Sequence, residues 1–403
     1  MKVGEQSGFK TFLSYSIPCI ISMFLTSFIT IVDGLFVGWK LGRNGLAAVN
    51  LSLPVLYILL AVTIMIGVGG VTLGAQSLGE KKRDQASNYF TTAFGLVVAV
   101  NIVAVIVLFF FQDGIIGMLH AQGVLYGYVR DYLGMIKYFY VFMMANLIFS
   151  MFIRSEGKPQ LSLAFGVVGN VLNIFLDYWF IMKLGYGMKG AALASGLSVL
   201  IPFLFGVGYF ISRRSVYKWV KVSLNRNDLG KIFLYGSAEF IAQISMSITI
   251  YIFNWVILRR IGTSGVAAYT IIGYLSFIQY MIISGIAVGI HPVLSYHFGA
   301  KQPASILSLL SIALRAVTFL GVIIFLMSLL FGDPIARMFA KNDSTVVHLT
   351  VFGLRIFSLA FILNGYNMIA AVYFTSLGAA KEAAMISIMR SIVLLNSMVI
   401  VLP

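Results

Sequence analysis

Charge is what this chain has least of. Asp, Glu, Lys and Arg make up 10% of its 403 residues, and only 13 of them are acidic against 28 basic. A soluble domain carries about 25% charged and about 45–50% apolar residues. Here the hydrophobic share is 60% and the mean hydropathy is +0.97. No soluble core of this length could hide so much apolar surface, so the composition excludes a soluble protein and predicts an all-α, polytopic membrane protein. Cysteine is nearly missing as well. Cys19 stands alone, which excludes an intramolecular disulfide and reads as a small apolar residue in the first span. No GxxxxGK(S/T), HExxH or GxSxG element occurs. ATP-driven pumping and the familiar hydrolase chemistries therefore lack support, no cofactor or structural metal is implied, and the chain reads as a non-enzyme.

The basic excess, a formal +15, does not call for nucleic acid. The cations are spread over loops between apolar runs, the pattern of the positive-inside rule. Lys81, Lys82, Arg83, Lys301 and the stretch from Arg213 to Lys231 fall on one side; Lys40, Arg43 and Arg130 fall on the other. That bias predicts a multi-pass protein of the cell membrane with a cytoplasmic N-terminus. MKVGEQSGFK leads into a span too long for a signal-peptide core and is expected to be an uncleaved first helix.

Eleven apolar runs follow, near 11–39, 46–77, 87–111, 126–152, 160–182, 188–211, 232–258, 265–297, 304–330, 347–374 and 383–403. Each reaches the roughly 20 residues that cross a bilayer as helix. Turn-formers separate them, LGRNG, LGEKKRD and RSEGKPQ among others. Residues about 220 apart match repeatedly: LAAVN (Leu46–Asn50) with VAAYT, LGEKK with FGAKQ, QDGIIGML with GDPIARMF, RSEG with TSLG. The first copy holds an even number of spans, so both copies start on the same side and the repeats are parallel. The expected division is an N-terminal lobe of six helices over 1–211, a basic cytoplasmic linker over 212–231, and a C-terminal lobe over 232–403. Five helices of that second lobe are legible, and a sixth is expected to be cut off.

Only three acids fall clearly inside the runs: Asp33, Asp177 and Glu239. A carboxylate at mid-membrane costs about 2.5–3.5 kcal/mol on insertion scales, so such groups face a cavity or a partner. No Lys or Arg shares the run of Asp177. Asn170, Asn173 and Asp177 are spaced i, i+3, i+7 and share one helix face. Ser22, Thr26, Thr30 and Asp33 make a second polar stripe; Glu239, Gln243, Ser247, Tyr251 and Asn254 make a third. The repeat sets Asp33 opposite Asn254 and Pro18 opposite Glu239. An asparagine by itself serves equally as helix–helix glue, whereas one a turn from an Asp reads as part of a polar pocket. Two carboxyls in such a pocket can share a proton, and the same oxygens with amide carbonyls suit Na+. Residue pattern does not choose between these ions. His291-Pro292 reads as a helix-end feature, and Arg315 and Arg355 as residues snorkelling from within spans.

IVDGLFVGWKLG followed by GLAAVNLSLP resembles the opening of multidrug and toxic compound extrusion (MATE) transporters. AQSLGEKKRDQA, RSEGKPQ, NVLNIFLDYWFI and GVAAYTIIGYLSFIQYMIISGIAVGIHPVLSYHFGA are similar to the same family. The resemblance implies a twelve-helix, two-lobed antiporter. It would export amphiphilic or cationic small molecules in exchange for H+ or Na+ by alternating access. Asp33, Asn173 and Asp177 match the cation-site pattern of the DinF-like branch, and GAALAS puts Ser195 where a Thr usually completes it. The NorM-like branch has a second-lobe Glu further along the seventh helix, where this chain reads ISMSITI. A further polar site in the second lobe, Glu239, Gln243 and Asn254, is an additional expectation. Two alternatives compete with the antiporter. A lipid-linked oligosaccharide flippase would need several in-span Arg and Lys to grip pyrophosphate, and few occur. An intramembrane enzyme would need a nucleophile and base, and none of the four His has an in-span acidic partner nearby.

Overall fold

The computed structural model of the chain describes residues 8–389 apart from 213, 224, 225, 341 and 342. Among them the regular structure is entirely helical. With no water in a bilayer core to satisfy N–H and C=O groups, helices are what continuous apolar runs of this length must form. The helices are α1 (Gly8–Gly79), α2 (Arg83–Met118), α3 (Val124–Ser155), α4 (Pro159–Asp177), α5 (Gly187–Ile211), α6 (Arg226–Arg260), α7 (Thr263–Gly299), α8 (Pro303–Ala340), α9 (Ser344–Ser376) and α10 (Ala380–Ile388). A six-residue π-helix, Tyr178–Lys183, continues α4. Eight of these helices are long and apolar enough to cross a membrane. The rest of the expected run 383–403, beyond Met389, lies outside the described residues.

At 72 residues α1 would extend about 108 Å if straight, several times a bilayer's hydrocarbon thickness. It is two helices joined at Gly42, whose φ of 63° and ψ of −156° only glycine adopts readily. The chain doubles back there, so that Val37 and Gly38 lie against Gly45 and Leu46. We call its arms 8–41 and 43–79.

The repeat is visible in the backbone. Positive φ recurs at Gly42 and Gly262, at Lys81 and Lys301, and at Gly157 and Gly378, each pair 220 or 221 residues apart. Equivalent turns thus join equivalent helices in both halves. The halves also interlock symmetrically. Phe12 and Tyr15 of α1 belong to the aliphatic core of α7, α8 and α9. Ile232 of α6, the repeat partner of Thr11, belongs to the core of the first half. Glycines permit the exchange: a Cβ on Gly69 would collide with the Ile232 carbonyl, and one on Gly236 with the Met65 carbonyl.

The first-half core is aromatic. Phe90 stacks on Phe210 at 4.5 Å, Phe94 on Phe149 at 4.9 Å, and Phe149 on Phe210 at 5.1 Å. The connector after α5 is laced onto this core. Glu156 is buried and accepts hydrogen bonds from the Tyr209 and Ser215 hydroxyls and from the backbone N–H groups of Val216 (3.1 Å) and Tyr217 (3.3 Å). Tyr217, fully buried, shares a 2.7 Å hydrogen bond with Ser155. Asn88 brackets Ser223 with two more. Of residues 212–231, those from Arg226 onward already belong to α6.

One sequence expectation is corrected here. His291 is no helix-end residue, because α7 runs on to Gly299 with Pro292 inside it. The repeat explains this: α7 is the partner of arm 43–79 and inherits its length.

Candidate functional site

Asp33 lies on arm 8–41, just before the Gly42 reversal, and Asp177 is the last residue of α4. The two carboxyl groups lie within reach of one another. Two carboxyls this close can share a proton. Asp177 is 1% exposed and Asn173, one turn earlier on the same face, is 5% exposed. Asp33 Oδ1, Asp177 Oδ2 and Asn173 Oδ1 are all buried without a hydrogen-bond partner in the protein. Orphaned buried oxygens cost about 1–3 kcal/mol each and call for an occupant. Among the described residues no Lys or Arg pairs with either acid. The π-helix starts directly after Asp177. Single π turns of this kind are frequent at functional sites, because they displace the residues that follow.

The other predicted residues are placed less tightly. Asn170 is half-buried on the α4 face shared with Asn173. Ser195 is half-buried on α5; its carbonyl accepts from Ser198 at 2.9 Å, and among the described residues no hydrogen bond joins its hydroxyl to the acid pair. Thr26 and Thr30 of the first stripe turn their hydroxyls back onto their own helix, donating to the Ser22 and Thr26 carbonyls. Glu239 and Gln243 are half-buried on α6, and the side chain of Asn254 lies outside the described residues. Glu239 follows Gly236, where α6 crosses arm 43–79, and the span from Glu239 to Asn254 is about 22 Å of helix. These three therefore do not form one pocket.

Sequence reasoning missed Tyr132. Its phenol, from α3, stands close enough to Asp33 and Asp177 to feel both charges. One tyrosine among 20 carries no local signal, and only the packing of α3 singles it out.

The fold and these buried groups define a polytopic membrane protein of two like halves, with an uncompensated acid pair sealed into the first. The MatE family model matches residues 18–179 and again residues 239–401, and the chain belongs to that family. It is therefore a transporter, not an enzyme. It is similar to the multidrug export protein MepA of Staphylococcus saprophyticus, 24% identical over 97% of this chain and 86% of the relative. MepA of Staphylococcus aureus strain NCTC 8325 is 26% identical, with 96% and 86% covered. A solved MOP superfamily transporter from Pyrococcus furiosus superposes with a TM-score of 0.90 at 23% identity, covering 99% of this chain and 89% of that one. At that identity the likeness speaks for the fold.

Proposed function

We propose that this transporter exports amphiphilic, often cationic small molecules in exchange for H+ or Na+, of the DinF-like branch, with the ion handled by Asp33, Asp177 and Asn173. Ser195 supplies a nearby hydroxyl. The observation that carries the reading is the close pair of acids beside Asn173, with three buried oxygens that have no hydrogen-bond partner in the protein. Binding of H+ or Na+ at those oxygens, and its release, would change the net charge of the acid pair by one. The membrane potential supplies about 2.3 kcal/mol per charge per 100 mV to drive such a step. The name of the MepA relatives supports small-molecule export. Two lobes, 1–211 and 232–403, alternate access about the linker 212–231, with the N-terminus in the cytoplasm of a cell-membrane protein. The family model's two matches support that division.

The test is efflux of a fluorescent organic cation from proteoliposomes under a pH gradient or a Na+ gradient imposed separately. Asp33→Asn and Asp177→Asn are each expected to abolish the gradient-driven component, and the gradient that drives wild type names the ion. Full gradient-driven efflux by both variants would overturn the site.

A further inference from the structure

On the linker side of the molecule the two halves meet backbone to backbone. A Cβ on Gly79 would collide with the Tyr296 carbonyl, and one on Gly299 with the Gln76 carbonyl. By the repeat these are one contact made twice, across the pseudo-twofold axis that relates arm 43–79 to α7. About two turns further into the membrane, a closed circuit of hydrogen bonds spans the same junction. Thr72 Oγ1 and His291 Nε2 are 2.9 Å apart. The His291 carbonyl accepts from Ser376 Oγ of α9 at 3.2 Å. The Ser376 carbonyl in turn accepts from Gln76 Nε2, back on the first half, at 2.9 Å. Thr72, His291 and Ser376 are buried.

The direction of the ring bond follows from its neighbour. The Thr72 hydroxyl donates to the Val68 carbonyl at 2.8 Å, which leaves only lone pairs for the imidazole. His291 Nε2 is therefore the protonated nitrogen and donates to Thr72. The cross-half bonds are thus two donors of opposite origin: an imidazole N–H from the second half and an amide N–H from the first. Neither is needed to fold its own half, since each joins helices of different halves. Parting the halves on this side strips both at once in a buried setting.

We propose that the Thr72–His291–Ser376–Gln76 circuit is the latch that holds the linker side closed, and that His291 is a positioning residue of the transport cycle. Its bond to Thr72 sets how often the cleft opens toward the linker. The consequence for transport rests on the alternating-access reading above; the latch itself does not.

Cys19 is a built-in reporter. It is the only cysteine in the chain and is 3% exposed. It lies on arm 8–41 beside Val288 of α7, one turn from His291, where Gly285 and Gly289 press onto Ile20, Tyr15 and Ser16. Parting the halves uncovers it. The experiment is the rate of Cys19 alkylation by N-ethylmaleimide in the full chain in lipid nanodiscs, with no substrate present. His291→Ala and Thr72→Val should each label about tenfold faster than wild type, the scale of one lost buried hydrogen bond. Gln76→Ala, which removes the other cross-half donor from a half-buried position, should fall between. His291→Gln, whose amide N–H replaces Nε2–H, should stay within about twofold of wild type. The proposal is overturned if His291→Ala, Thr72→Val and Gln76→Ala all label at the wild-type rate. It is equally overturned if His291→Gln labels as fast as His291→Ala, since bulk and not the donor would then matter. Asp177→Asn separates the two readings: it should lose gradient-driven efflux, and His291→Ala in that background should still uncover Cys19.

Discussion

The two halves of this transporter are one backbone design filled in two ways. Their reversals recur at Gly42 and Gly262, at Lys81 and Lys301, and at Gly157 and Gly378. Their interiors do not recur. The first half is held by stacked rings, Phe90, Phe94, Phe149, Phe152 and Phe210, whereas the second packs Ile283, Ile286, Ile290, Leu309, Val317 and Ile369. Phe90 and Phe94 are covered by Phe210 and Trp219. Polar content is equally lopsided. Half-buried Asp33 and buried Asp177 lie close together in the first half, while the repeat sets Asn254 opposite Asp33 and Met398 opposite Asp177. Topology tolerates this because helix turns depend on a few glycines, whereas packing and charge depend on every side chain. A duplicated fold can therefore carry a close acid pair in one copy only.

That contrast can be broken at several points. The largest effect is expected at the acids: Asp177→Asn should remove gradient-driven efflux, while Asn254→Ala leaves it within about twofold, under 0.5 kcal/mol. Comparable losses from both would show that the halves share the coupling. Next, Phe90→Ala should cost about 3–5 kcal/mol of stability in thermal or denaturant unfolding, because its ring is packed between Phe152, Phe210 and Trp219. Glu156→Ala strands two hydroxyls and two backbone N–H groups that bind the connector to the first half, and should cost about 3 kcal/mol. Faster proteolysis within 212–225 would accompany it. The smallest effect is Tyr217→Phe, about 1 kcal/mol for the lost bond to Ser155. Burial raises the Tyr217 phenol well above the usual tyrosine range. Its contribution is then fully present below about pH 10 and declines only as pH climbs toward that raised value. Alkaline difference spectroscopy against Tyr217→Phe would show this residue titrating last.

Asp33, Asn173 and Asp177 were legible before any fold was known, because an acid inside an apolar run is rare and helical spacing says which residues share its face. That Asp33 meets Asp177 was not legible from spacing. They stand 144 positions apart, and only the packing of arm 8–41 against α4 joins them. Tyr132 was invisible for the same reason. His291 was misread because a His-Pro pair near the end of an apolar run resembles a helix terminus when the partner helix is not in view. Glu156 was noticed only within its motif, while its task of holding the connector depends on Tyr209, Ser215 and Tyr217 arriving from the far end of α5.

The amino-acid sequence by itself determined the membrane setting, the helical class, the twofold repeat and the intramembrane acids. Each of these rests on composition or on periodicity along one chain, where the cost of burying a charge or an unpaired peptide group leaves few alternatives. The tertiary structure decided which polar groups face one another: it brought near each other the acids that the family resemblance had put in one site, and it alone set the anchored connector and the Thr72–His291 bond between the halves. Hydrogen bonds act over about 3 Å and depend on direction, and neither property is written in sequence distance.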